Sequence, residues 1–324
     1  MPFTRRLLLA AAALAVVSFG AQAQVKWDLP AAYPATNFHS VNLQQFADDV
    51  DKASGGKLKI TVHPNASLFK APEIKRAVQG GQAQIGEILL VNFQNEWQIF
   101  GADGLPFLAD SYDAAMKLWQ VQKPMLDKKL AEQGMMVLYA VPWPPQGIYV
   151  NKPINAAADL KGVKWRAYSP ATARIAELVG AQPVTIQAAD LSQAMATGAV
   201  QSYMSSGSTG FDTKTYEHIK YWYDTQAWLP KNAVIVNKAA FDALDAPTKQ
   251  ALLKAAADAE VRGLAASKTT NTESLDKLKA NGMQIVPPPP QLKADMKKVG
   301  ETMLKEWLDK SGAEGKALID AFAK

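Results

Sequence analysis

Residues 245–280 constrain this chain more than any other stretch. Asp245 can cap a helix, Pro247 sits where a first turn tolerates proline, and helix formers continue to Ala280 before Asn281-Gly282. Gly263 interrupts the run once. At 1.5 Å per residue such a helix is roughly 50 Å long, about twice the width of a small domain. It must either cross more than one domain or project as a coiled coil. The coiled coil fails on its side chains, because the apolar positions are mostly alanine and Thr269-Thr270-Asn271-Thr272 breaks the stripe. The spacing therefore predicts a helix laid along two domains.

The remaining sequence supplies two sets of elements for such a helix to join. Leu43, Phe46, Ala47 and Val50 recur at helical spacing within 37–53, and Leu58, Ile60 and Val62 alternate as a strand. Pro72 opens a helix that stops at Gly80-Gly81, Ala83 to Leu90 reads as a buried strand, 113–133 as helix and 135–141 as strand. Pro142-Trp143-Pro144-Pro145 then breaks the pattern, since three prolines in four residues suit neither a helix nor an inner strand. Alternation restarts at Ile148 and runs through a strand ending at Arg166, a helix over 170–179 and another over 188–197. Met283–Val286 reads as a strand, Pro287–Pro290 as a turn, and two amphipathic helices finish the chain. This is an α/β protein of two domains. The expected division is 24–143 with 232–271 in one, and 144–231 with 272–324 in the other.

Composition excludes several functions. The chain has no cysteine, which removes thiolate metal sites, iron–sulfur clusters and cysteine nucleophiles. Its net charge of +5 is scattered among acids rather than clustered, so no nucleic-acid footprint is expected. The start, MPFTRRLLLAAAALAVVSFGAQAQ, has a basic pair, a short apolar run and an Ala21-Gln22-Ala23 cleavage site. Residues 1–23 read as a signal peptide, and the mature chain is expected to begin near Gln24 in an exported compartment. His39, His63 and His218 lack metal-ligand spacing, and no nucleophile elbow or phosphate loop is present. Neither a metal nor a cofactor is expected, and nothing asks for an enzyme. Ser206-Gly207-Ser208-Thr209-Gly210 is either an anion-cradling turn or a surface loop. Glu87, one carboxylate in an apolar run, reads as a hydrogen-bonded structural acid.

Arg166 poses the sharpest question. Val163-Lys164-Trp165-Arg166-Ala167 alternates as a strand, and the arginine stands at its carboxyl end, where ligands of α/β folds bind. A guanidinium cannot shed its charge, so a buried one must meet an anion. That anion is either an acidic side chain of the protein or a ligand.

The run NKPINAAADLKGVKWRAYSPATARIAELVGAQP, residues 151–183, resembles the signature of TRAP-transporter solute-binding proteins of the DctP type, with Asp159-Leu160-Lys161-Gly162, Lys164, Arg166 and Gly180-Ala181-x-Pro183 in the expected places. Ser54-Gly55-Gly56-Lys57-Leu58, Leu105-Pro106-Phe107 and Val236-Asn237-Lys238 are similar to flanking motifs, so the likeness covers essentially the whole mature chain. The resemblance implies a two-lobed periplasmic-binding-protein fold with a long helix across both domains. It implies a receptor that captures a small organic acid in the periplasm and delivers it to small and large membrane subunits, and a monomer is expected. It also implies that Arg166 grips the ligand carboxylate. Gln146 stands where sialic-acid-binding members carry a second arginine, and 200–206 lacks the family's acid and asparagine, which argues against sialic acids and weakens a C4-dicarboxylate. With aromatics crowding the cleft segments, the expected ligand is a monocarboxylate with an apolar or aromatic body. A C4-dicarboxylate or keto acid is the alternative, and an exported enzyme on the same scaffold the reading from another class. The candidate ligand contacts are Arg166, Phe38, His39, Glu87, Trp143, Gln146, Tyr168, Tyr203, Ser205, Ser206 and Trp228, whereas Trp165 and Trp222 read as core.

Overall fold

The computed structural model describes residues 24–324, and the signal-peptide reading of residues 1–23 lies outside the described residues. The chain opens with a βαβ unit. Strand β1 (Val25–Pro30) leads to helix α1 (Phe38–Ala53) and returns in β2 (Leu58–His63), parallel to β1. Asn37 caps α1 by accepting from the His39 N–H, and Leu43, Phe46, Ala47 and Val50 form its buried stripe. Pro72 starts a 3-10 turn, Ala71–Glu73, that runs on into α2 (Ile74–Gln79). After β3 (Ile85–Leu89) come two 3-10 segments, then α3 (Tyr112–Glu132) and β4 (Met135–Pro142).

Past the proline cluster the chain enters a second sheet. Its elements in order are β5 (Gly147–Val150), β6 (Lys164–Ala167), α4 (Pro170–Leu178), β7 (Gln182–Thr185), α5 (Leu191–Ala196), β8 (Ser202–Ser205), α6 (Gly207–Asp212) and β9 (Tyr221–Tyr223). The chain then crosses back as β10 (Lys231–Asn237), followed by α7 (Lys238–Asp242), α8 (Ala246–Ala280), β11 (Gln284–Val286) and α9 (Pro290–Ala323). β10 lies between β3 and β4, antiparallel to both, whereas β11-β9-β5-β8-β6-β7 make the second lobe's six-stranded sheet. Pro142 closes β4, which is an edge strand, so its missing N–H leaves no ladder bond unmade.

Helix α8 joins the lobes as its length predicts. Leu252, Ala255, Ala256 and Ala259 pack with β1, α1 and β10, while Leu278 packs with Tyr149, Tyr203 and Trp222 of the second sheet. Its alanine stripe lets neighbours approach closely. The Asn42 amide donates to the Ala259 carbonyl at 2.9 Å and Arg262 Nε donates to Asn42 Oδ1 at 2.8 Å. The two expected terminal helices are the halves of α9, which bends at Gly312 (φ 56°, ψ −133°). α9 also ties the lobes together: Trp307 Nε1 donates to the Gln98 carbonyl at 2.8 Å, and Glu306 receives two hydrogen bonds from Arg174 of α4.

One segment corrects its sequence reading. Residues 206–210 are neither a surface loop nor a free anion cradle. Ser206 caps α6 by accepting from the Thr209 N–H, and Gly207 to Gly210 are buried. A side chain at Gly210 would meet the Tyr149 hydroxyl, so the glycine that makes the stretch look like a loop is there for close packing.

Candidate functional site

A cavity of about 300 Å³ lies between the sheets, at the carboxyl ends of β1, β3, β6 and β8. From one lobe it is lined by Tyr33, Glu87, Leu89, Asn92 and Trp143, and from the other by Gln146, Arg166, Tyr168, Ser205 and Thr209. Lys70 and Asp190 are exposed at its margin.

Arg166 is 3% exposed. Strand β6 holds it between β7 and β8, opposite Val184 and Tyr203. Its Nε donates to the Ile186 carbonyl at 2.8 Å, and its guanidinium lies 4.8 Å from the Tyr168 ring centroid and 5.8 Å from that of Tyr203. Burial lowers its pKa, and the neighbouring tyrosines oppose the shift. Among the described residues no carboxylate comes within ion-pair distance of it. Of the two sources open for its anion, an acidic side chain or a ligand, the described residues do not supply the first. The guanidinium is oriented from behind, with its terminal nitrogens left for a planar acceptor that can take parallel hydrogen bonds.

Glu87, in β3, also faces the cavity and is 4% exposed. Burial pushes its carboxyl up to about 8 from an ordinary 4.5, and the Asn232 side chain beside it acts in the opposite direction. Its Oε1 lies 3.5 Å from Nδ1 of His39, whose own pKa burial holds well below 6.5. Both shifts favour the uncharged forms, so this contact is a neutral pair rather than a salt bridge. Glu87 Oε2 and Asn92 Oδ1 have no hydrogen-bond partner among the described residues.

Aromatic walls complete the cavity. The Trp143 indole donates to Asn232 Oδ1 at 2.9 Å and stands edge-on to Tyr33, ring centroids 4.8 Å apart. Gln146 is fixed by Nε2 donating to the Pro144 carbonyl at 2.8 Å and by Oε1 accepting from the Tyr168 hydroxyl at 3.3 Å.

Of the sequence candidates, Arg166, Glu87, Trp143, Gln146, Tyr168 and Ser205 line the cavity. The other five stand behind it. His39 packs on Trp143 at 4.4 Å, Phe38 packs on both, Tyr203 lies beneath Arg166, Ser206 caps α6, and Trp228 is in the core. Sequence reasoning passes over Tyr33 and Asn92, and reaches Thr209 only as part of the 206–210 stretch. For Tyr33 a signal exists, since it follows the carboxyl end of β1, where such folds bind ligands.

Comparison with known proteins agrees with this architecture. The DctP description, "Bacterial extracellular solute-binding protein, family 7", matches residues 32–311. The fold superposes on DctP6 of Bordetella pertussis, an extracytoplasmic solute receptor binding pyroglutamic acid, with a TM-score of 0.91 and 66% identity over 92% of this chain and 99% of that one. DctP7 of the same organism, also a receptor binding pyroglutamic acid, gives 0.91 with 44% identity over 93% and 100%. The C4-dicarboxylate-binding periplasmic protein DctP of Rhodobacter capsulatus is 28% identical over 74% of this chain and 72% of its own. The chain belongs to the DctP family of extracellular solute-binding proteins, the solute receptors of TRAP transporters.

Proposed function

We propose that this receptor captures pyroglutamate, a small cyclic monocarboxylate, between its two lobes and presents it to the membrane subunits of a TRAP importer. One observation carries the reading: Arg166 is buried in a small, aromatic-walled cavity, and no carboxylate among the described residues is within ion-pair distance to neutralise it. The 66% identity to a receptor that binds pyroglutamic acid supports the choice among acids. The cavity, near the small end for ligand pockets, suits a five-membered ring better than a sugar acid. Arg166 takes the carboxylate, while Tyr33, Trp143 and Tyr168 wall the ring. Phe38, His39, Tyr203, Ser206 and Trp228 hold that wall from behind. A dicarboxylate is the weaker reading, because Lys70, the other cation at the cavity, lies exposed at its margin.

In the same reading, residues 1–23 are a cleaved signal and the receptor works in the periplasm as a monomer, without metal, cofactor, nucleic acid or chemical turnover. The lobes are residues 24–143 with 232–271, and 144–231 with 272–324. In support, β1 to β4 and β10 fall in the first set, and β5 to β9 and β11 in the second.

A thermal-shift panel tests the ligand class. Pyroglutamate at about 100 times its Kd stabilises by about 2.7 kcal/mol, a shift of several degrees, and succinate and glucuronate at equal concentration give less. A large shift with succinate or glucuronate and none with pyroglutamate contradicts the proposal.

A further inference from the structure

Outside the cavity, a hydrogen bond joins the two lobes side chain to side chain. Asn37 precedes α1, which packs on β1 and β10, and Asp212 ends α6, which follows β8 of the second lobe's sheet. The Asn37 amide nitrogen donates to Asp212 Oδ2 at 2.7 Å. Neither residue lines the cavity. We propose that Asn37 and Asp212 form a latch, made when the lobes close, that sets how tightly and how long the receptor holds its ligand without touching it. The latch acts on closure, so it does not depend on which acid the cavity takes.

Three arguments support it. The first is orientation. Asn37 is 2% exposed, and its Oδ1 is committed to capping α1, where it accepts from the His39 N–H at 2.9 Å. Capping fixes the amide plane, so Nδ2 is presented to α6 with little further ordering to be done. The second is the situation of Asp212. Partial burial disfavours its charge, and the bond from Asn37 and the attraction of Lys277 on α8 act against that burial. Among the described residues no cation comes within ion-pair distance of it, and Lys277 lies 3.5 Å from Glu273 instead. The hydrogen bond that its carboxylate does accept from a side chain crosses to the other lobe, and it is of the charge-assisted, stronger kind. The third is connection to the site. Phe38 and His39, which follow Asn37, pack on Trp143, and Thr209, three residues before Asp212, lines the cavity. Among the described residues the other side-chain hydrogen bonds between the lobes lie at α9, from Trp97 to Glu314 and from Trp307 to Gln98, or at the start of β10. A contact made only in the closed form adds its free energy to the binding of every ligand that closes the lobes. Losing it therefore weakens apparent affinity and speeds release for all of them alike.

The test is calorimetric titration with pyroglutamate, succinate and glucuronate at about pH 7, where all three carboxylates are ionised, with release rates from stopped-flow displacement. Native protein is compared with Asn37→Asp, Asp212→Asn and the double variant. Aspartate caps a helix as well as asparagine does, so Asn37→Asp keeps α1 while setting two carboxylates face to face. It should lose about tenfold or more in affinity, through faster release and not slower association. Asp212→Asn, which can still accept from Asn37, should lose less. The double variant exchanges donor and acceptor and should recover to within about threefold of native. Losses should agree within about threefold for every acid that binds native protein. The inference is overturned if Asn37→Asp binds within about twofold of native, if its loss lies in association, or if the double variant binds no better than Asn37→Asp. Circular dichroism checks each fold. Should Asn37→Asp not fold, Asn37→Ser takes its place, since serine keeps the cap but is too short for Asp212; it should lose about fivefold or more, and native-like affinity overturns the inference. If succinate or glucuronate binds native protein and pyroglutamate does not, the pyroglutamate reading fails and the latch is judged on the acid that binds. If none of the three binds, both fail.

Discussion

Burial acts on Arg166 and Glu87 in the same physical way with opposite results. A guanidinium has no accessible neutral form, so burial leaves it charged and in need of a partner. A carboxyl can take a proton, and Glu87 does so at a pH where an exposed glutamate would be ionised. Stability carries the signature. The folded protein binds this proton more tightly than the unfolded chain, so the contribution is fully present below about pH 4.5 and is lost as pH rises through about 8. Asp103 acts in the same direction: burial pushes it up to about 6, against the attraction of Lys231. The ligand-free Glu87→Gln protein should therefore gain stability relative to native as pH rises from 5 to 8.5, on the order of a few kcal/mol. Urea midpoints at the two pH values measure it, and a relative gain that shrinks with pH contradicts the assignment. Arg166 is legible in the sequence because strand alternation and a non-titrating charge together demand an anion. Tyr33 and Asn92 are not, because nothing local distinguishes a loop tyrosine or asparagine aimed into a cleft from one in water.

At the scale of elements, legibility follows length. Helix α8 gives itself away over 35 residues, with Asp245 capping its start by accepting from the Thr248 N–H. Strands β7, β8 and β9, of three or four residues each, offer almost no period to read, and β7 is exposed throughout. β10 hides for another reason: as the middle strand of its sheet it is buried along nearly its whole length and lacks alternation. Gly263 reads as an interruption of α8, yet a Cβ there would press on Val141 and approach Asn42 Nδ2 to 2.8 Å. The glycine is what lets α8 lie against β4 and α1. Gly263→Ala, which raises helix propensity by about 1 kcal/mol, should nonetheless destabilise by roughly 1–3 kcal/mol through overpacking. A chemical-denaturation midpoint that rises on substitution contradicts this.

Across the whole molecule, three connections cross between the lobes: β4 to β5, β9 to β10, and helix α8. The cavity sits beside the first two, where Trp143 N–H donates to the Pro230 carbonyl and Gln146 N–H to that of Trp228. The cavity's lining thus comes from both lobes, and in the proposed reading a small acid bound there bridges them, the arrangement in which two-lobed receptors close on their ligands. Two levels of the sequence reach this picture separately. Helix length requires two domains, and a cation buried at a strand's carboxyl end requires an anion between them. What the sequence leaves open is the acid, because the cavity is lined by side chains from separate segments that only the folded chain brings together. The central claim is that Arg166 holds the ligand's carboxylate. Isothermal titration of pyroglutamate into native and Arg166→Ala protein at pH 7 tests it most directly. Loss of a buried charge-assisted pair predicts an affinity reduced at least about 100-fold in the variant, with its fold intact by circular dichroism. An unchanged Kd in a folded variant would place the carboxylate elsewhere and contradict the account.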